Sequence, residues 1–422
     1  MLGMGTVGGQ VAARLLERRD SIKANTGVDI ELRHVLVRDL AKTRAVPLPE
    51  GVLTADAEAV LEDPAIGVVV EVMGGREPAR AYLERALRAG KHVVTANKVV
   101  MAEHGPALLQ LAAEHNVDVY FEAAVGGGIP LISTFKVDLQ ANEIESIAAV
   151  INGTTNHMLW RMSREGLDFA GALAEAQAAG YAEADPTDDV KGFDARYKIA
   201  ILASIAFRSR VHPRDVYCEG IETIEPLDFR YAHELGYDIK LLAYAGRAGD
   251  RIEARVHPAM VSVAHPLGQV EGAFNAVYIE GDLVGPVLLY GQGAGGRPTA
   301  SAVIGDLLDL ATDLRRGVTD RAAAVPEADL PLLPMDDVTT RAYFRMHLAD
   351  RPGVLAAIGQ AFADEDVSIS SAIQKEAFAE AGTAEFVVTT HPARDLALRR
   401  TLERCSRLDG VAKVCAFLRV FG

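Results

Sequence analysis

Gly3-Met4-Gly5-Thr6-Val7-Gly8 opens the chain on the spacing G-x-G-x-x-G, and a helical pattern over Val11–Arg19 follows at once. In that spacing the first glycine makes a tight turn and the second lets backbone approach a pyrophosphate. The third packs helix on strand, and the helix N-terminus offers N–H groups to the anion. A glycine turn without a ligand has the same local pattern, so the surroundings decide. Beyond it, Ile30–Val37, Gly67–Val72, His92–Thr95 and Val117–Glu122 read as strands, with Ala79–Gly90 and Pro106–Asn116 as helices between them. That alternation predicts an α/β fold, a Rossmann-type doubly wound parallel sheet with helices on both faces. Only Met1 and Leu2 stand where about five apolar residues should form the first strand. That strand is central in such a sheet, so the expectation is a shortened strand with unpaired neighbours, from a late start or a truncated piece.

After this region, residues 1–127, the pattern changes. Ile144–Ile151, Arg251–His257 and Ala276–Gly281 read as strands, and Phe169–Gly180 and Phe193–Arg208 as helices. They predict an α+β second domain with an open sheet over 128–316. It closes with the glycine turn Gly291–Gly296 and a helix over Thr299–Ala311, which is expected to pack back on the first domain. Residues 317–338 read as a linker, because Val325–Asp337 holds Pro326, Pro331 and Pro334 among acids with no period. In the last unit, 339–422, the strand 341–348, a Pro352-Gly353 turn with its helix, Val367–Ile373, Gly382–Thr390, a helix over Asp395–Leu408 and Val411–Val420 spell β-α-β-β-α-β. That order is ferredoxin-like.

Composition excludes several classes. With 43 Lys+Arg against 58 Asp+Glu, the net charge of −15 repels nucleic acid and anionic membranes. No apolar run approaches the roughly 18 residues of a membrane span, and the N-terminus lacks a signal-peptide pattern. Three scattered cysteines, Cys218, Cys405 and Cys415, support neither a disulfide framework nor a zinc site. A cytoplasmic setting fits.

The second strand ends Val37-Arg38-Asp39. Arg38 is placed to hold a 2′-phosphate and Asp39 a 2′-hydroxyl, which favours NADPH with NADH tolerated, against a solvated turn as the alternative. Thr95-Ala96-Asn97-Lys98 ends another strand at the carboxyl edge, where ligands sit. The densest polar stretch runs from Gly180 through Glu183, Asp185, Asp188 and Asp189 to Asp194 and Lys198. Asp194 and Lys198 share one helix face at i, i+4. They read either as an exposed ion pair or as a lysine poised in a cleft to trade a proton with a substrate oxygen, beside acids that bind an ammonium group. A calcium loop is opposed by Pro186 and the irregular ligand spacing.

With these residues in view, the chain resembles homoserine dehydrogenase over its full length. The resemblance rests on Gly3–Gly8, Thr95–Lys98, Glu122–Pro130, Ile151–Asn156, Gly180–Lys198, and Gly293–Gly295 with Pro298–Ala302. The terminal unit, with Ala349–Leu355 and Val367–Ile369, is similar to an ACT domain, an amino-acid-sensing module. The resemblance implies reversible nicotinamide-dependent reduction of L-aspartate 4-semialdehyde to L-homoserine, toward threonine and methionine. It implies Lys198 as proton donor, Asp194 orienting the substrate, Glu183 binding its amino group, and Lys98 between cofactor and substrate. Gly153 and Thr154 would line the substrate pocket. Gly3, Gly5, Thr6, Val7, Gly8, Arg38, Thr95, Lys98, Gly180, Gly293 and Gly295 would contact NADP(H) or NAD(H). A structural sodium ion would sit on the Glu122 carboxylate and the carbonyls of Val125, Gly127 and Ile129, though Gly126-Gly127-Gly128 also reads as a hinge.

A phosphorylating aldehyde dehydrogenase would need a cysteine nucleophile, and none has a base in view. A non-catalytic amino-acid sensor is the remaining alternative, opposed by the Lys198 constellation. The resemblance implies feedback by L-threonine at the terminal unit, and a purely dimerising role, which ferredoxin-like units also serve, is the alternative. A homodimer or homotetramer is expected, through the open sheet or edge pairing of terminal units.

Overall fold

The structure is a computed structural model that describes residues 1–319, 328–378 and 382–422. Two compact units emerge: Met1–Ile147 with Arg196–Val216 and Phe274–Leu330, and Ala148–Ala195 with Tyr217–Ala273 and Pro331–Gly422.

The first unit carries the parallel sheet. Its strands run in the order Leu53–Thr54, Val35–Leu36, Leu2, Val68–Glu71, His92–Thr95, Val119–Tyr120. In chain order that is 3-2-1-4-5-6, the doubly wound arrangement. The shortened first strand does not leave its neighbours unpaired. Leu2 bridges both sides: its N–H donates to the Val70 carbonyl at 2.7 Å, and its carbonyl accepts from Val72 at 2.9 Å. On the other side Gly3 N–H reaches the Leu36 carbonyl at 3.0 Å and Leu36 N–H the Met1 carbonyl at 2.8 Å. The Met1 and Leu2 side chains are both buried, and these two residues with the Gly3 N–H satisfy the sheet's centre.

The Thr6–Glu17 helix buries Val11, Ala12 and Leu15. Opposite it, the Gly296–Arg316 helix buries Ala300, Val303, Leu307 and Leu310, a 3-4-3 spacing that makes one apolar face. The two faces share one core with Val35, Val70 and Val94. At about 25 cal/mol per Å² of apolar area, this burial is what holds the dinucleotide turn against the sheet.

Local expectations fail where a cap or a partner outweighs the pattern. The strand read over Ile30–Val37 contracts to Val35–Leu36. The helix expected from Pro106 begins at Lys98, because Asn97 Oδ1 accepts the Val100 N–H and caps it there; Pro106 sits inside the helix.

In the second unit, the Tyr237–Ala248 and Arg251–Ser262 strands form an antiparallel hairpin. The terminal module has the expected β-α-β-β-α-β order, with strand Thr339–Ala349 between Val411–Phe421 and Thr383–Thr390, and Ile369–Phe378 at the edge. Its last strand also pairs in parallel with Arg251–Ser262, placing Arg419 opposite Ala259. Of the predicted linker, residues 320–327 lie outside the described residues. The rest is no free spacer: Ala328 bridges Ser209, Leu332 bridges Ile252, and Met335–Asp337 forms a 3-10 turn.

Candidate active site

The glycines of the opening turn divide by what surrounds them. A Cβ on Gly3, whose φ is +99°, would lie 3.0 Å from the Val72 carbonyl oxygen, and one on Gly8 would lie 2.4 Å from the Gly3 carbonyl oxygen. Both are needed for close backbone packing. A Cβ on Gly5 would meet nothing within 4 Å. This is the position that must stay open for an incoming phosphate, and it immediately precedes the Thr6–Glu17 helix. No side chain caps that helix, so its first N–H groups, among them those of Thr6, Val7 and Gly8, are available to an anion. The second glycine turn packs on this one: a Cβ on Gly296 would lie 2.9 Å from Thr6 Cγ2. Gly295, next to Gly296 in the chain, is thereby brought near the opening turn, while Gly293 lies against Asn275 and Gly127.

Arg38 is exposed just past the carboxyl end of Val35–Leu36. Asp39 Oδ1 accepts the Ala41 N–H at 2.8 Å, so this carboxylate closes its own turn. At the same edge Thr95 Oγ1 donates to Glu71 Oε2 at 2.6 Å and accepts the Asn97 N–H at 3.0 Å. The other Glu71 oxygen accepts from Met73 and Gly74 at 2.7 and 3.1 Å. Glu71, fully buried and not singled out in the sequence, locks the turn that carries Thr95 and half-buried Lys98.

The Glu122 carboxylate is committed to backbone. Oε1 accepts N–H groups from Leu131 and Ile132 at 2.6 and 2.8 Å, and Oε2 accepts from Ser133 at 2.8 Å. Three of its roughly four lone-pair positions are thus taken. Gly126 and Gly127 have φ of +74° and +56°, and a Cβ on Gly127 would lie 2.6 Å from the Gly293 carbonyl carbon. Beside this loop a cavity of about 70 Å³ is lined by Glu122, Lys136 and Asp306. Burial pushes Lys136 down to about 8 and Asp306 up to about 8.

In the second unit Asn152 is the hub. Its Nδ2 donates to Asp189 Oδ1 at 2.7 Å and to Asp194 Oδ2 at 2.8 Å. Its Oδ1 accepts from Thr155 N–H at 2.8 Å and so caps the Gly153–Glu165 helix. Thr154 Oγ1 donates to the Tyr181 carbonyl at 2.8 Å, tying Gly153 and Thr154 to the polar stretch. Glu183 and Gly180 are exposed on that stretch. Asp194 is 3% exposed and Lys198, one turn on along the Phe193–Ala206 helix, 7%. The exposed-ion-pair reading is therefore wrong: charges that nearly leave water need partners, which a solvated helix face would not have to supply. Asn152 was visible as part of Asn152-Gly153-Thr154-Thr155-Asn156, a turn-and-cap signature, but its two carboxylate partners lie 37 and 42 residues away.

The terminal module has a cavity of about 350 Å³ lined by Asp350, Arg351, Gly353, Leu355 and Gln374, at the start of the Val354–Ala363 helix. That volume lies in the range of small-ligand pockets, about 300–1,000 Å³. Among the described residues, no helix is long and apolar enough to cross a membrane.

Known proteins match this arrangement throughout. Family models described as "Homoserine dehydrogenase, NAD binding domain", "Homoserine dehydrogenase" and "ACT domain" match residues 3–122, 130–308 and 342–407. A homoserine dehydrogenase of Synechocystis sp. is 45% identical over 438 residues, spanning 100% of this chain and 98% of that protein. The crystal structure of a homoserine dehydrogenase from Thiobacillus denitrificans aligns at a TM-score of 0.91 and 42% identity, over 100% of this chain and 97% of that one. A hyperthermophilic archaeal homoserine dehydrogenase mutant in complex with NADPH aligns at 0.58 and 27% identity, over 73% of this chain and 95% of that one.

Proposed function

We propose, from the premise that the chain belongs to the homoserine dehydrogenase family of NAD(P)-dependent oxidoreductases acting on a CH–OH group, that Lys198 is the proton donor when L-aspartate 4-semialdehyde becomes L-homoserine. The observation that carries this reading is the buried set at the head of one helix, Asp194 clasped by Asn152 with Lys198 one turn later. As the aldehyde oxygen gains negative charge, the Lys198 ammonium stabilises and protonates it; in reverse, the neutral amine takes the hydroxyl proton. Asp194, held in one rotamer by Asn152, orients the substrate, and Glu183 binds its ammonium group. Gly153 and Thr154 are assigned to substrate binding, Gly180 to cofactor binding, and Lys98 to cofactor binding and catalysis. A bound nicotinamide supplies the hydride, and the chain's part is to hold and aim it. Oxidation of NADPH on adding L-aspartate 4-semialdehyde, with Lys198→Ala as the paired variant, tests this. Turnover in the parent should fall by about 10²–10⁴ in the variant. An equally active variant refutes the assignment, and a folded, inactive parent favours the sensor alternative.

The same reading extends to three finer points. NADP(H) is preferred, with Arg38 holding the 2′-phosphate while Asp39 is occupied in its own turn; Arg38→Ala should raise the NADPH KM and leave that for NADH unchanged. Sodium is held by carbonyls of Val125, Gly127 and Ile129, where glycines let oxygens converge, with the remaining Glu122 lone pair completing a structural site. L-Threonine binds at Asp350–Leu355, its ammonium on Asp350 and its carboxylate at the helix start, and inhibits the step that leads to it. Assembly as a homodimer or homotetramer would cover the exposed apolar residues Leu283, Val284, Leu288 and Tyr290 of the Phe274–Gln292 hairpin.

A further inference from the structure

Arg419 lies in the last strand, three residues before Gly422, yet is 2% exposed. Its guanidinium spans two elements. Nε donates to Asp395 Oδ1 at 2.7 Å, inside the terminal module, where Asp395 is fully buried at the start of the Asp395–Ser406 helix. Nη1 donates to Glu219 Oε2 at 2.8 Å and Nη2 to Tyr217 Oη at 3.3 Å, both outside the module. The guanidinium carbon also lies 5.1 Å from the centroid of the Tyr217 ring. Tyr217 Oη in turn donates to Glu219 Oε2 at 3.0 Å, which closes a small polar ring.

The segment that Arg419 grips leads directly to the substrate turn. Tyr217 and Cys218 pair in parallel with Arg255 and Val256. Ile221 N–H then donates to the Val190 carbonyl at 2.9 Å, and Cys218 Sγ to the Lys191 carbonyl at 3.2 Å. The approach is backbone to backbone, since a Cβ on Gly220 would lie 2.3 Å from the Val190 carbonyl oxygen. Gly192, at φ +78°, has room for a Cβ only 3.2 Å from Cys218 Sγ. Residues 190–192, followed by Phe193, join Asp189 to Asp194, the two carboxylates that Asn152 clasps.

We infer that Arg419 is a positioning residue for the substrate turn: its forked side chain braces residues 217–221 against the terminal module, and these hold 190–192 and so the placement of Asp189 and Asp194. A lysine could not do this, because a single ammonium cannot serve Asp395 and Glu219 with the fixed geometry of a guanidinium. The inference rests on the reading of Asp194 as substrate-orienting, and it gives an effector in the terminal module a covalent and hydrogen-bonded route to the site.

Arg419→Lys, which keeps the Asp395 ion pair and loses the second arm, and the milder Glu219→Gln and Tyr217→Phe test it in the full-length enzyme. The expected result is a KM for L-homoserine raised about fivefold or more, the lower end of coupling between linked sites, with the NADP+ KM and kcat within about twofold. Amide hydrogen exchange across residues 187–194 should accelerate in the same variants. An unchanged homoserine KM and unchanged exchange, with only a lowered Tm, would show a purely structural Arg419 and overturn the inference. Asp194→Asn is the control: if it leaves the homoserine KM unaltered, the reading of Asp194 fails, and the exchange rate over 187–194 still decides whether Arg419 braces the turn.

Discussion

Glu122→Gln isolates what the buried carboxylate contributes. In the parent, three backbone N–H groups converge on it at 2.6–2.8 Å. A Gln Oε1 retained on Leu131 and Ile132 leaves Nε2 facing the Ser133 N–H, donor against donor, so one charge-assisted bond worth about 1.5–3 kcal/mol is lost. The two retained bonds weaken toward neutral strength, about 1 kcal/mol each. Against this, the substitution relieves desolvation of the carboxylate. The net expectation is about 2–4 kcal/mol of destabilisation. At roughly 2–4 °C per kcal/mol for a domain of this size, Tm should fall by roughly 5–15 °C. Calorimetry at pH 7, in sodium and in an organic-cation buffer, reads both this and the ion. Because the carboxylate is already occupied by N–H groups, any sodium-dependent part of Tm that the proposed ion gives should survive the substitution. A Tm within about 1 °C of the parent would refute the argument that the carboxylate secures the backbone of residues 131–133, and complete loss of any sodium effect would make the carboxylate the principal ion ligand.

Asp306, raised to about 8 by burial, binds a proton in the folded chain that it sheds when unfolded between about pH 4 and 8, so it makes stability fall as pH rises through that window. Asp306→Asn, which can still accept the Glu122 N–H, should gain stability relative to the parent more at pH 8 than at pH 4 in urea titrations; parallel curves would contradict the shift. Gly5→Ala should leave Tm unchanged while weakening NADPH more than about tenfold, since its methyl enters the open phosphate space. Gly8→Ala should instead lower Tm, because its methyl meets the Gly3 carbonyl.

Several features were legible in the sequence because they are local. The G-x-G-x-x-G turn, the strand His92–Thr95 and the β-α-β-β-α-β order of the last unit all arise from residues within one or two turns or a single strand, where periodicity and glycine placement act directly. The helix over Gly153–Glu165 was hidden because Asn-Gly-Thr-Thr-Asn reads as a turn, although its Asn152 cap was in plain view. Glu71 was lost at the end of an apolar run, where nothing in the pattern distinguishes a structural carboxylate from a strand's polar edge.

The sequence by itself therefore determined the class of each element and which residue types stand ready for chemistry: the glycines of the turn, Asp194 and Lys198 on one helix face, the terminal module. Only the tertiary structure decided their state. It buried Asp194 and Lys198 where the sequence allowed an exposed pair, let two residues serve as the central strand, and brought Asn152 to carboxylates 37 and 42 residues away. It also carried Arg419 across 200 residues to Glu219. The reason is physical: periodicity reports which face of an element is apolar, whereas desolvation and hydrogen-bond satisfaction depend on what other elements place against that face.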